Sequence, residues 1–173
     1  MNPYRVTWVG CFLFLLCHVS GFAQTTINLS APAFARGAAI PNAYALRGQN
    51  ISPGLKIENV PANARTLVLI VDDPDSPSGL WTHWLVWNLP VSVTSLEDGK
   101  LPSQAVQGKN SFGHVRYDGP VPPSGTHRYF FHLFALDTTL PLPVGSTRDT
   151  LLAAMKNHVV GTGETYGVYS ASL

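Results

Sequence analysis

The chain has 173 residues, with 11 lysines and arginines against 10 aspartates and glutamates, and with 14 prolines and 15 glycines. It holds no basic run, which argues against a nucleic-acid or polybasic membrane surface, and 45% hydrophobic content excludes a disordered chain. Both cysteines, Cys11 and Cys17, fall in the first two dozen residues, so beyond them disulfides, cysteine-based zinc sites and thiol nucleophiles are ruled out.

Met1 to Arg5 supplies a short basic start, Val6 to Val19 is an apolar run, and Ser20-Gly21-Phe22-Ala23 places small residues before Gln24. This three-part pattern predicts a secretory leader cleaved after Ala23. The run is short of the roughly 20 apolar residues a spanning helix needs. Leu16 also stands where a small residue would precede a lipidated Cys17. The expectation is export to a periplasm or the exterior, with no membrane anchor. Residues 24–173 then form one domain, in which ten cationic residues balance ten anionic ones once Arg5 is removed. A chain of that size buries roughly 68–70% of its unfolded surface and needs no staples.

Residues 24–50 mix Phe34, Ile40 and Tyr44 with small and polar residues, predicting short edge strands and a turn around Arg47-Gly48-Gln49-Asn50. Leu55 to Glu58 alternates as a half-buried strand does. Pro61-Ala62-Asn63 reads as a turn. Thr66 to Val71 is a continuous β-prone run, predicted to be buried on both faces and to end at Asp72, before Pro74 and Pro77. Trp81 to Asn88 is the next strand, and simple alternation puts Trp81, His83, Leu85 and Trp87 on one face. Residues 91–126 have no sustained periodicity, and so long an irregular stretch in a compact domain is usually functional. His127 to Leu136 is a third strand, with His127, Tyr129, Phe131 and Leu133 facing one way and Arg128, Phe130, His132 and Phe134 the other. A helix follows, with Ser146 as its cap, Leu151, Leu152, Met155 and Val159 at helical spacing, and Gly161 as its stop. Tyr166 to Tyr169 is left as a short last strand.

Familiar enzyme signatures are absent: there is no G-x-S-x-G, H-E-x-x-H, Walker or G-x-G-x-x-G motif. Polar residues concentrate instead at strand ends. Asp72, Asp73 and Asp75 fit turn chemistry, with side chains bonded to nearby backbone N–H groups, or an acidic wall facing a histidine or a ligand ammonium. Calcium would want 6–8 oxygen ligands, which this loop does not offer. His83, among tryptophans, reads as a core histidine bonded to a backbone carbonyl or as a floor residue of a site. His127 opens a strand directly after a Gly/Pro loop, where functional groups are commonly presented, and an imidazole can charge against an anion. A zinc site of Asp73, His83 and His127 is a minor option. Arg128 points away from His127 and is expected to pair with Asp72 or Asp75.

Asp73-Pro74-Asp75-Ser76-Pro77 resembles a D-P-D-x-P motif. Gly119 to Tyr129 resembles G-P-x-P-P-x-G-x-H-R-Y, and Trp81 to Asn88 resembles the tryptophan- and histidine-containing strand between the two. Together these resemble the phosphatidylethanolamine-binding proteins, also called Raf kinase inhibitor-like proteins. Gly48 to Pro53 and the compact 73–81 loop are similar to the bacterial branch. The resemblance spans about Phe34 to Tyr169. It implies a mainly β fold, a large antiparallel central sheet flanked by a smaller sheet, with a C-terminal helix. It also implies a small surface pocket for anions such as phosphate, phosphoethanolamine or a carboxylate, built from Asp73, Trp81, His83, Pro122, Pro123, His127 and Tyr129. In that pocket His127 and Tyr129 would donate to the anion, with backbone N–H groups of the Gly/Pro loop. His83 would close the floor, and Asp73 would orient a histidine or meet an ammonium. Thr82 stands where eukaryotic members carry a second histidine, and their C-terminal extension has no match, which implies a headgroup-sized ligand.

Three functions compete at this point. The leading one is a non-enzymatic exported binding protein, acting as an inhibitor or signalling modulator, with no cofactor or resident metal. The others are a protein-interaction or protease-inhibitor module carried by residues 91–126, and a hydrolase using Asp73 with His127 or His83 as general base.

Overall fold

The computed structural model describes residues 25–171, and the predicted leader over Met1–Ala23 lies outside them. β1 (Thr25–Thr26) and β2 (Asn28–Ser30) open the chain, and a 3-10 turn spans Asn42–Tyr44. β3 (Leu55–Glu58) buries Leu55 and Ile57 and exposes Lys56 and Glu58, as a strand with one wet face must. β4 (Thr66–Asp73) and β5 (Trp81–Pro90) are long, and β6 (Ser95–Leu96) and β7 (Val106–Gln107) are brief pairings within the irregular stretch. β8 (Thr126–Leu136), α1 (Arg148–Met155) and β9 (Val159–Ser170) complete the fold.

The large sheet runs β1-β9-β8-β4-β5-β7, and the small one β2-β3-β6. The small sheet is antiparallel, as expected. The large one is antiparallel except at one edge, where β1 lies parallel to β9, so it is a mixed sheet. Two cores follow from β4, whose eight residues are all buried. Leu67, Leu69 and Val71 point into a core shared with Leu29, Leu55 and Ile57 of the small sheet. Val68 and Ile70 point into a second core, closed by Leu151 and Met155 of α1.

Five local expectations need correction. β4 continues through Asp72 and Asp73, paired with Thr82 and Trp81, because the first proline comes only at position 74 and both aspartates keep their N–H groups. β5 does not keep simple alternation. Against β4 the register passes from Leu67↔Leu89 to Leu69↔Val86, and from Val71↔Trp84 to Asp72↔Thr82, so β5 carries an extra residue at each of two bulges. Asn88 takes the left-handed φ of 56° within the first. Leu85 and Trp87 therefore pack in the core under α1, whereas Trp84 and Val86 face the small sheet.

The helix is capped by Thr147, whose hydroxyl accepts from the Thr150 N–H, in place of Ser146. It ends at Met155, because Asn157 turns the chain at φ 69° and Val159 already belongs to β9. Gly161 consequently lies within a strand of 12 residues, far longer than the predicted return over Tyr166–Tyr169.

Candidate functional site

The end of β4 and the turn that follows it separate three acids that are near neighbours in sequence. Asp72 points toward α1, where its carboxylate accepts from the Thr82 hydroxyl at 2.6 Å and from Arg148 Nη2 at 2.9 Å. Asp73, on the opposite side of the strand, accepts the Asp75 N–H at 2.8 Å on one oxygen and meets His127 Nδ1 at 2.8 Å on the other. Asp75 takes both the backbone N–H and the guanidinium of Arg128. Turn chemistry and an acidic wall facing a histidine are thus both present, carried by Asp73 alone. Arg128 is structural, as the facing of β8 predicts. These three carboxylates do not converge on a common point, and no cluster of three or more histidine, cysteine or acidic groups able to hold a metal ion occurs among the described residues.

The Arg128 guanidinium holds the Asp75 carboxyl down at about 2 against the usual 3.8, chiefly through its side-chain hydrogen bond. A depressed folded-state value contributes stability that is fully present above pH 3.8 and is lost as the pH falls toward 2. Asp75→Asn is therefore expected to lower Tm at pH 7 and to converge on the parent protein near pH 2, read by thermal unfolding at the two pH values.

His83 sits at the second bulge of β5 and is 2% exposed. Its Nδ1 donates to the Asp118 carbonyl at 2.6 Å. Its ring packs edge-on against Tyr129 at 5.1 Å and Phe112 at 5.4 Å, and Phe112 in turn meets Trp81 at 5.4 Å. Burial pushes the His83 imidazole below its usual pKa, more than the Asp118 hydrogen bond and nearby carboxylates raise it. The Tyr129 hydroxyl is buried and makes no hydrogen bond of good geometry, with Asp73 and the Val121 backbone as its polar neighbours. Burial, then the Asp73 charge, raises its pKa.

A cavity of about 190 Å³ opens among these groups, lined by Asp73, Trp81, His83, Pro123, His127 and Tyr129. Ser76, Pro77 and Ser78 form one rim, and Phe112 and Val121 complete the wall. Behind it lies a polar knot. The Asp118 side chain is fully buried and accepts from Asn50, Asn110, His114 and Arg116. Burial pushes this carboxyl up, but the bonds from Asn110, His114 and Asn50 outweigh it and the acid lies below its usual range. Asn110 also accepts from the Phe112 and His114 N–H groups and donates to the His83 carbonyl, so one amide ties the loop to β5.

Residues 30–170 match the family model described as phosphatidylethanolamine-binding protein. The chain belongs to the phosphatidylethanolamine-binding protein family. It is 47% identical over 148 residues to a UPF0098 protein of Methanothermobacter thermautotrophicus, covering 83% of this chain and 98% of that one. A UPF0098 protein of Chlamydia pneumoniae is 47% identical over 151 residues, covering 84% and 100%. Among solved structures, a Chlamydia trachomatis homolog of phosphatidylethanolamine-binding proteins superposes with TM-score 0.82 at 42% identity, over 86% of this chain and 99% of that one. E. coli YbcL, described as a new member of the mammalian family, superposes with TM-score 0.80 at 29% identity, over 86% and 100%.

Of the seven positions that the resemblance to phosphatidylethanolamine-binding proteins picks out, six meet in the cavity. Pro122 does not: it lines a neighbouring shallow cleft with Arg47 and Tyr169. The segment is extended there, so Val121 and Pro123 face the cavity and the residue between them faces away. Ser76 and Pro77 were within reach of the motif reading. Phe112 and the Asp118 knot were not, because an aromatic and a few polar residues in an aperiodic loop carry no period to interpret.

Proposed function

We propose that this member of the family is an exported binding protein whose cavity takes a small oxyanion such as phosphate, phosphoethanolamine or a carboxylate, without turning it over. The observation carrying this reading is the buried His127–Asp73 pair, 2.8 Å apart in the wall of the cavity. With Nδ1 held by Asp73, a protonated His127 turns its remaining N–H and its charge toward the cavity. The volume of about 190 Å³ lies below the ~300–1,000 Å³ of drug-sized sites, which favours a headgroup-sized ligand. The leader-like Met1–Ala23 segment supports export. A protein partner, through which the molecule would inhibit or modulate signalling, finds a candidate surface in the half-buried strip of Phe130, His132 and Tyr166 on β8 and β9, stacked at 4.9–5.7 Å.

Titration with inorganic phosphate and phosphoethanolamine, followed by amide NMR, is expected to give saturable shifts around the cavity. His127→Ala is expected to weaken binding about 10–100-fold, the loss of one charge-assisted hydrogen bond. No saturable shift at millimolar ligand would sink the reading. The same dyad is general-base equipment beside Ser76 and Ser78, so single-turnover release of phosphate from phosphoethanolamine would replace binding by hydrolysis.

A further inference from the structure

The outer edge of β9 is covered in two stretches with a gap between them. Even-numbered residues of β9 turn their backbone groups away from β8. The Thr162 carbonyl accepts the Ile27 N–H at 2.7 Å, and the Tyr166 carbonyl accepts the Gly37 N–H at 2.7 Å. Val168 donates to the Ala38 carbonyl and accepts the Ile40 N–H. Glu164 falls between these partners, because after Ile27 the chain leaves β9 to form β2 with the small sheet. Its carbonyl accepts Arg36 Nη1 at 3.1 Å, and its N–H has no partner among the described residues. Gly163 adds no side chain to the gap, where a Cβ would stand 2.5 Å from the Ile27 carbonyl oxygen.

A groove of about 620 Å³ opens at this gap, inside the ~300–1,000 Å³ range of small-molecule sites. It lies on the opposite face of β8 from the cavity: His132 and Phe134 line the groove, His127 and Tyr129 the cavity, and the two share no residue.

The charges of the groove cancel within it. Glu164 Oε1 accepts Arg36 Nη2 at 2.9 Å, and Oε2 faces His132 Nδ1 at 3.3 Å. The Arg36 guanidinium also lies over the Tyr166 ring, 4.8 Å from its centre. An ionic ligand therefore meets no unpaired counter-charge and would give up its hydration without return. What remains unspent is neutral. The hydroxyls of Thr26, Ser30 and Thr162 and the side-chain amide of Asn28 make no hydrogen bond among the described residues. Each hydroxyl can donate and accept, and the amide offers both functions. The rings of His132 and Phe134 add apolar surface to the same wall.

We propose that this groove is a second binding site, separate from the oxyanion cavity, and that it takes a neutral saccharide. A sugar presents what the unspent groups require: vicinal hydroxyls that each donate and accept, no net charge, and C–H faces that pack against aromatic rings. The Glu164 N–H donates to one sugar oxygen, and the Glu164 carboxylate, with lone pairs beyond those Arg36 uses, accepts from the neighbouring hydroxyl. Asn28 and Ser30, on one face of β2, bond to hydroxyls further along the groove. An extended peptide is a poor occupant, because a single unpaired edge residue gives no ladder for an added strand.

The test titrates the purified protein with maltose, cellobiose and N,N′-diacetylchitobiose at millimolar concentration, followed by amide NMR, with inorganic phosphate as a separate titration. At least one disaccharide is expected to give saturable shifts of the Asn28, Gly163 and Glu164 amides, and none at His83 or His127. Thr162→Val removes a hydroxyl while keeping the shape of the side chain, and Asn28→Ala acts at an exposed position. Each is expected to weaken that binding about 2–10-fold, the loss of one neutral hydrogen bond. No saturable shift with any of the three sugars overturns the proposal, as does an affinity unchanged in both variants or a sugar response confined to the cavity. Phosphate reports on the cavity alone, so the failure of either site leaves the other standing.

Discussion

Asp118→Ala is expected to lower the unfolding free energy by about 3 kcal/mol, the range for stripping a buried acid from its partners. The side chain has no exposed surface; its removal leaves the Asn50 amide without its acceptor and takes from the Asn110 amide the shortest of its three bonds, the other two going to the His83 and Arg116 carbonyls. Arg116 and His114 lose the same partner but are 58% and 51% exposed, so water replaces it at little cost. Arg116→Ala should therefore cost well under about 1 kcal/mol. Urea unfolding of the two variants checks the contrast, and similar losses would show that the buried amides are not what the carboxylate holds. The effect reaches the cavity as well. The Asp118 backbone accepts from His83 Nδ1 and donates to the His83 carbonyl, so loosening the knot releases the ring from its tautomer.

Gly119→Ala is expected to exceed about 4 kcal/mol or to prevent folding, because the clash is with backbone that has nowhere to go. A Cβ at Gly119 would stand 1.9 Å from the Tyr44 carbonyl oxygen and 2.9 Å from the Ala45 carbonyl carbon. That carbonyl is itself fixed by the Tyr117 hydroxyl at 2.9 Å, and the Gly119 N–H is held by Asn50 at 2.8 Å. The first residue of the Gly-Pro segment is thus glycine because the 44–45 segment crosses directly over it. Gly113→Ala makes the control: its φ of 85° strains an alanine by about 1–2 kcal/mol, but nothing lies within 4 Å of the new Cβ. Soluble yield and Tm of the pair separate contact from conformational strain; a mild Gly119→Ala would mean that the two segments part easily.

The three long strands and the helix follow from the amino-acid sequence, whereas the layer arrangement and six of the cavity residues were legible only through the resemblance of its motifs to a known family. Their determinants are local: an unbroken apolar run at Thr66–Val71, alternation at His127–Leu136, helical spacing at Leu151–Met155, and two long motifs whose order survives in the chain. Period-two facing likewise gave Arg128 a structural pairing with Asp72 or Asp75, and the fold chose Asp75, Asp72 being taken by Arg148. Only the tertiary structure decided the rest. The bulges of β5 arise because its neighbour β4 has fewer residues over the same span, a mismatch that neither strand contains alone. Of β9 only Tyr166–Tyr169 reads as a strand, because Gly163 and Gly167 interrupt the pattern. Those glycines answer to Ile27, Phe34 and Ile40, which pack across the strand so closely that a Cβ would stand 2.5 Å from the nearest of their atoms. Asp118 lies in an aperiodic loop and carries no signal of its own in the sequence, yet it is fully buried and accepts from four side chains, one of them 68 residues away. Period and motif are properties of neighbours along the chain, whereas the tautomer of His83 and the shape of the cavity depend on residues that meet only once the sheets have packed.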